Sequence, residues 1–410
     1  MTRLELFYDL VFVFAFLNVS SLASVNLTRS ALLEALLVLA LLWWLWGGFV
    51  ALSNIVRADQ GIMPLVGFAI MAALFVLALA TDTAFRDEPG GLDGPFVFAL
   101  AYATTEAIVL VALYATIETK NPASRRRSVL LSLPTILGAL IVLLGGTAPQ
   151  LLFPADIAHN LRLGSWAAAL VVAYSGGLVI GRVGWRLKSV EHFAERHALI
   201  VLIALGESVI SLGVGATSRN GRPITATVVL AAVLGIAVIA ALWWLYFDLL
   251  AFHVEQVLHR ARGQSRIVLG RDIYTYLHLP LVSGVIIFSL GLQRLLSAVI
   301  QKSTIDGWNL ISLFGGVILY LVALVAVELR SSRRLDPVSL AGAALLVLLL
   351  PVADRLPAIA ALIVLTATIV AVVVAQLLTK RGVRKQVRHR IHQEQIDLEA
   401  AVVRWRHRHQ

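Results

Sequence analysis

Long apolar runs, broken by charge clusters and by Gly/Pro turns, divide the chain into twelve segments. A helix that crosses a bilayer needs about 20 apolar residues, and these runs are close to that length. The spacing predicts helices over 4–23, 31–53, 62–80, 95–117, 129–146 and 163–180. A second set follows over 197–215, 225–250, 274–292, 308–327, 338–352 and 357–378. A transmembrane β-barrel would show short alternating segments instead. The expected fold class is therefore all-α: a polytopic membrane helix bundle of about 12 transmembrane helices.

The two sets resemble each other. The first opens on Glu5-Leu-Phe-Tyr-Asp-Leu-Val-Phe-Val-Phe-Ala and the second on Glu195-Arg-His-Ala-Leu-Ile-Val-Leu-Ile-Ala-Leu-Gly-Glu. The next segment carries Trp43-Trp44-Leu45-Trp46 in one half and Trp243-Trp244-Leu245-Tyr246 in the other. The third carries Pro64-Leu65-Val66 and then Pro280-Leu281-Val282, after a longer loop in the second half. Six spans per half would insert both halves in the same direction, as in parallel transporter repeats whose sites lie near the midplane between the halves. The expected organisation is a first six-helix repeat over 1–190, a second over 191–379, and a tail over 380–410.

Composition agrees with a lipid solvent. Of 410 residues, 59% are hydrophobic and 14% charged, with a mean hydropathy of +0.86, whereas a soluble domain carries about 25% charged residues. An ordinary soluble enzyme, a disulfide scaffold and a disordered chain are excluded. The absence of cysteine removes thiolate metal sites and cysteine catalysis. The net charge of +10 raises the question of nucleic acid, but its placement answers it. With a cytoplasmic N-terminus, 26 of the 34 Lys and Arg fall on the inner side, the tail and the Arg196 loop included. The others are Arg29, Arg86, Arg162, Arg219, Arg222, Arg294, Lys302 and Arg355. The alternation predicts a multi-pass cell-membrane protein with both termini cytoplasmic and no nucleic-acid partner. Glu5 and Asp9 interrupt the first apolar run, so it reads as a retained helix and not as a signal peptide.

Each ionisable group within a span costs about 2.5–3.5 kcal/mol on insertion scales and requires a reason. Glu207 lies near the middle of the seventh span, with Ser211 one turn on along the same face. Gly206 and Ser208 would let a neighbouring helix approach closely. Two readings fit Glu207, a proton or cation site and a structural carboxylate bonded to a neighbouring helix. Glu5 and Asp9 share a face of the first helix, as gating or ion-access groups or as interface charges; Asn18 lies deeper and points away from Asp9. Glu106 is central in the fourth span, beside Thr104 and Thr105, with Tyr102 one turn before. Arg271, Tyr274, Thr275 and His278 fall on one stripe of the ninth span, and Pro280 should loosen the ladder just beyond. His278 suits a proton relay or a packed, satisfied side chain. Candidate partners for Glu207 are Asp9, Asn18 and His278, with Arg271 turning inward from the cytoplasmic end. Asp82, Asp248, Asp272, Gln293 and Glu328 read as interface residues.

The His192, Glu195, Arg196, His197 cluster lacks the spacing of a zinc protease. No phosphate-binding loop, nucleophile elbow or dinucleotide fingerprint is present, so the sequence predicts no enzyme, no cofactor and no metal. The tail carries nine basic residues and three acidic ones. Val383, Val387 and Ile391 repeat at four, and Ile391, Leu398 and Trp405 at seven. This predicts an amphipathic helix in contact with anionic lipid, or a solvated topogenic tail.

Glu5-Leu-Phe-Tyr-Asp-Leu-Val-Phe-Val-Phe-Ala resembles the opening block of the bacterial low temperature requirement protein A (LtrA) family. His192-Phe-Ala-Glu-Arg-His197 running into Ile203-Ala-Leu-Gly-Glu-Ser208 resembles its second block, and Arg271-Asp-Ile-Tyr-Thr-Tyr-Leu-His-Leu-Pro280 its third. The likeness covers essentially the whole chain. Tyr8 replaces the usual Phe, and almost nothing precedes the first block, which suggests a short or trimmed start. The resemblance implies a multi-pass bacterial membrane protein associated with growth at low temperature, without an agreed substrate. Arg3-x-x-x-Phe7-Tyr8-Asp9 is also similar to the first-helix motif of the lysosomal potassium-channel family. The loop motif of the major facilitator family is missing from 53–61.

Three functions remain open: a proton- or cation-coupled transporter of an unknown small solute or ion, an ion channel, and a non-transport scaffold or lipid-handling protein. A channel would need polar residues at symmetric positions, yet Asp9 and Glu207 are not equivalent. The bilayer itself is the one partner that the composition demands.

Overall fold

The structure is a computed structural model and describes residues 2–24, 27–56, 58–87, 90–115, 122–180, 189–217, 223–305, 307–382 and 384–385. Its elements are helical. The first half contains α1 (Arg3–Ser24), α2 (Arg29–Ile55), α3 (Met63–Leu79), α4 (Gly94–Ala115), α5 (Pro122–Leu152) and α6 (Ala155–Ile180). The second contains α7 (Val190–Thr217), α8 (Ala226–Phe247), α9 (Leu250–Arg260) and α10 (Gly263–Gly270). A π-helical turn (Arg271–Leu277) leads into α11 (His278–Gln301), followed by α12 (Gly307–Ser332), α13 (Pro337–Ala353) and α14 (Ala358–Thr379). Each of the twelve apolar segments falls on one of these helices. Among the described residues, nine helical runs are long and apolar enough to cross a membrane; α3 and α13 are shorter apolar helices.

The stretch expected as a long loop between the eighth and ninth segments is helical instead. Its stabilising stripe is Leu250, Val254 and Leu258, all buried and spaced by four in an otherwise polar window. Averaged hydropathy hides a stripe that narrow. The irregularity attributed to Pro280 also lies elsewhere: the ladder loosens before the proline, over Arg271–Leu277, and not beyond it. The proline ring lacks an N–H and presses on the carbonyl four residues earlier, Tyr276, so the displaced backbone widens on that side. The basic tail beyond 385 lies outside the described residues. At its start, Lys380 pairs with Glu328 and Asp336, and Arg384 with Asp248.

Burial follows lipid logic. On α1 the buried positions are Glu5, Tyr8, Asp9, Phe12, Ala15, Phe16, Val19 and Ser20, while Leu6, Phe7 and Leu10 are exposed. The spacing of three and four marks one helix face. The apolar outer face is at home in hydrocarbon, so the polar groups turn inward. Helix α7 repeats the pattern, with Arg196, His197, Glu207, Ser208 and Ser211 inside and Leu202, Val209, Ile210 and Val214 outside.

Helix neighbours in the first half are α1–α2, α1–α3, α3–α4, α4–α5, α5–α6 and α2–α6. In the second half they are α7–α8, α7–α11, α11–α12, α12–α13, α13–α14 and α8–α14. Helices α1 and α7 meet between the halves, and α11 also packs on α1. Helices α11 and α12 approach closely. A Cβ on Gly291 would lie 2.3 Å from the Leu313 nitrogen, and one on Gly316 would lie 2.3 Å from the Phe288 nitrogen. Only glycine allows that spacing. Gly206, expected to serve such an approach, is exposed with nothing within 4 Å of a Cβ.

Gly291→Ala and Gly316→Ala should each destabilise the bundle by about 1–3 kcal/mol, the cost of overpacking, and lower its melting temperature in detergent. Gly206→Ala should leave that temperature unchanged or raise it slightly through helix propensity. A melting point unchanged in all three would show that the α11–α12 contact is not that tight.

Candidate functional site

The seam between α1 and α7 carries three polar bonds in one register. His192 Nε2 lies 3.0 Å from Glu5 Oε1, Arg196 Nη2 donates to Asp9 Oδ1 at 2.8 Å, and Ser20 Oγ donates to Glu207 Oε1 at 2.9 Å. Each pair is 187 residues apart in sequence, so the two helices run parallel without slip. At 1.5 Å per residue, the Asp9 and Ser20 levels are about 16 Å apart along the axis.

The lower level is an ion pair inside an aromatic wall. Arg196 is completely buried and Asp9 nearly so. Trp46 Nε1 of α2 donates to the same Asp9 oxygen at 3.2 Å. The guanidinium lies over the Phe49 ring, 5.4 Å from its centre, and Tyr8 of α1 stacks on Phe49. Arg196 was counted above among loop cations, as was Arg162. Both belong to helix interiors: Arg162 is 4% exposed and donates to the Phe85 carbonyl at 3.0 Å and to Gln150 Oε1 at 2.6 Å. An arginine adjoining a polar stretch reads as a loop residue by hydropathy, although its long stem lets it occupy a helix interior when an acceptor waits there.

Beside this pair stands a ring cluster. His197 packs against Trp46, Phe193, Tyr274 and His278, with centroids 4.4 to 5.7 Å away. Its Nδ1 lies 2.8 Å from the Phe193 carbonyl. His278 has both ring nitrogens engaged, Nδ1 with the Ile273 carbonyl at 2.9 Å and Nε2 with the Tyr246 hydroxyl at 2.9 Å. A carbonyl only accepts, so Nδ1 carries the hydrogen, and Nε2 of the neutral ring accepts from Tyr246. The π-helical turn shifts the ladder by one residue, so the Ile273 carbonyl accepts from the His278 backbone N–H as well as from its ring. Tyr274 and His278 thus stay together as the stripe predicted. Thr275 offers its carbonyl to Trp43 Nε1 at 2.9 Å.

Arg271 does not turn inward toward Glu207. It grips Asp272 and caps α6 through the Gly177 and Leu178 carbonyls at 2.9 and 3.3 Å, which satisfies orphan acceptors at that helix end. Asp272 pairs with Arg330, and Asp82 accepts from Ser21 at 2.5 Å. Glu106 is buried on α4 beside Tyr102, with Oε1 unbonded. Tyr8 is within electrostatic reach of Asp9, Arg196 and Glu106.

The upper level is of another kind. Glu207 is 0% exposed. Ser211 Oγ of the same helix donates to its Oε1 at 2.6 Å, joining Ser20 of α1. Ser289 of α11 faces the carboxylate, but Ser289 Oγ and Glu207 Oε2 are both buried and without a hydrogen-bond partner. Asn18, expected as a donor to Glu207, is displaced by Ser20 two residues on; its Nδ2 bonds nothing. A helix turns about 100° per residue, so only one of the two can face α7. Ser208, expected to admit a close neighbour, points its hydroxyl back to the Ala204 carbonyl at 3.4 Å. An apolar groove of about 470 Å³ between α7 and α8, lined by residues such as Ala216, Ile224 and Val233, includes none of these polar side chains.

The bacterial low temperature requirement A protein (LtrA) family model matches residues 1–374. The chain belongs to this family. It is 29% identical over 352 residues to an uncharacterized protein of Rhizobium meliloti (strain 1021), covering 83% of this chain and 80% of that one. No solved structure matches it. Family membership and the apolar helices make this LtrA-family chain a multi-pass membrane protein.

Breaking a buried ion pair from one side strands a charge and costs about 3–5 kcal/mol. Asp9→Asn and Arg196→Met should each lower the melting temperature of the detergent-purified protein sharply. The double variant should recover most of the loss, since no charge is then left alone. Additive losses in the double variant would show that Asp9 and Arg196 do not act as a pair.

Proposed function

We propose that this LtrA-family protein is a proton- or cation-coupled transporter of a small solute or ion. The observation that carries the proposal is Glu207, a carboxylate removed from lipid and water and held by hydroxyls alone. A carboxylate so placed must take up a proton or a cation, and exchanging one is the elementary act of coupled transport. It also lies where α7 meets both α1 and α11, between the two halves, where parallel-repeat transporters place their sites.

The finer architecture follows from the same reading. The chain crosses the membrane about twelve times in two parallel six-helix repeats. Supporting this, six helix-neighbour relations of the first half recur in the second. The parallel register of α1 and α7 requires an odd number of crossings between them, which α2 to α6 supply if each of the five spans. Both termini are then cytoplasmic, by the Lys/Arg alternation, and the basic tail is free to meet anionic lipid. The reading assigns no chemical transformation to the protein. Asp9–Arg196 and His278 fit a supporting role, because their charges and ring nitrogens are already engaged.

Two measurements test this. Reporter fusions at the C-terminus and in the 148–159 loop should report opposite sides of the membrane; the same side for both would overturn the topology. In reconstituted vesicles loaded with pH-sensitive and cation-sensitive dyes, Glu207→Gln should fold like the parent and lose flux by more than about tenfold, a barrier change of about 1.4 kcal/mol. Parental flux in that variant would make Glu207 structural.

A further inference from the structure

We infer that the Glu207 cluster is a sodium site, in which the Glu207 carboxylate and the hydroxyl oxygens of Ser20, Ser211 and Ser289 ligate one Na⁺ at the junction of α1, α7 and α11. The inference rests on the cation-coupled reading above and names its ion.

The donor set contains oxygen only. One carboxylate and three hydroxyls are the ligands of a hard cation, and no nitrogen or sulfur is present to favour a transition metal. The four residues come from three helices that pack on one another. Helices α7 and α11 are drawn together two turns beyond Glu207, where a Cβ on Gly215 would lie 3.0 Å from the Gln293 carbonyl. Four residues before Gln293, on the same face, is Ser289.

Charge selects a monovalent ion. The groups acting on Glu207 are the hydroxyls of Ser211, Ser289 and Ser20, so the site carries one negative charge. Asp9 has its arginine; Glu207 has no such partner. A monovalent cation brings the cluster to neutrality, while a divalent one would leave a net positive charge in hydrocarbon. Two buried atoms there are without hydrogen-bond partners, Glu207 Oε2 and Ser289 Oγ, and both are oxygens open to ligate an ion.

Size selects sodium over potassium. Potassium is held in channel filters by rings of many carbonyl oxygens. Here the donors are one carboxylate and three hydroxyls, a small set suited to an ion that takes fewer ligands.

The test is thermal unfolding of the full chain in detergent at pH 8, titrated with NaCl, KCl or choline chloride at constant ionic strength. NaCl alone should raise the melting temperature in a saturable way. Ser289→Ala should weaken the apparent Na⁺ affinity about 10–100-fold, and Glu207→Gln should abolish the shift. Ser211→Ala replaces Ser289→Ala should the latter fail to fold. Equal shifts in the three salts, or a Na⁺ shift that survives Glu207→Gln, overturns the sodium site. Vesicle flux separates the two proposals. Flux driven by a proton gradient and indifferent to Na⁺ leaves the transporter standing and removes sodium. A Na⁺ shift that depends on Glu207 and Ser289, with no flux under either gradient, keeps the sodium site and removes the transporter.

Discussion

The parallel contact of α1 with α7 organises this molecule, and it exists because hydrocarbon offers polar groups nothing. Glu5, Asp9 and Ser20 on one helix must find partners within the protein. They find His192, Arg196 and Glu207 on the other, all at a single offset of 187 residues. A slip of one residue would turn each of these groups by about 100° and strand buried charges. The seam therefore sets the relative depth of the two halves, and the rest of the bundle is built outward from it.

The two levels of the seam differ in electrostatic closure. Asp9 and Arg196 neutralise each other, and Trp46, Phe49 and Tyr8 wall them in. Such a pair contributes little net stability against an apolar replacement, but its loss from one side is costly, so it acts as a register pin. About 16 Å further along, Glu207 meets hydroxyls and no cation. The ion pair joins α1 and α7 at one level, and the carboxylate without a counter-charge lies at the other.

Several polar residues that read as functional on their own are absorbed into structure. In the π-helical turn the Ile273 carbonyl accepts both the backbone N–H and the Nδ1 hydrogen of His278, and Tyr246 takes the other ring nitrogen. Arg271 closes the end of α6 and binds Asp272, which Arg330 also holds. Lys380 and Arg384 tie the start of the tail to acids at the ends of other helices. These contacts join helices far apart in sequence, and no spacing rule foretells them.

The sequence by itself determined the apolar helices, because long apolar runs leave no other secondary structure that satisfies the backbone in lipid, while the more polar α9 and α10 were not legible in it. It also marked the inner face of α1 and α7, since polar residues at three- and four-residue spacing in an apolar helix must turn away from lipid. Glu207 and Ser211 were legible together for that reason. Only the tertiary structure decided that Ser20 and not Asn18 meets Glu207, that Ser289 arrives from α11, and that Arg196 and Arg162 are interior residues. Those outcomes depend on helix rotation and on the distance between neighbouring axes, which glycine contacts such as Gly291 and Gly316 fix to within an ångström. Hydropathy carries no information at that scale, because it reports whether a residue prefers lipid and not which of several possible partners it reaches.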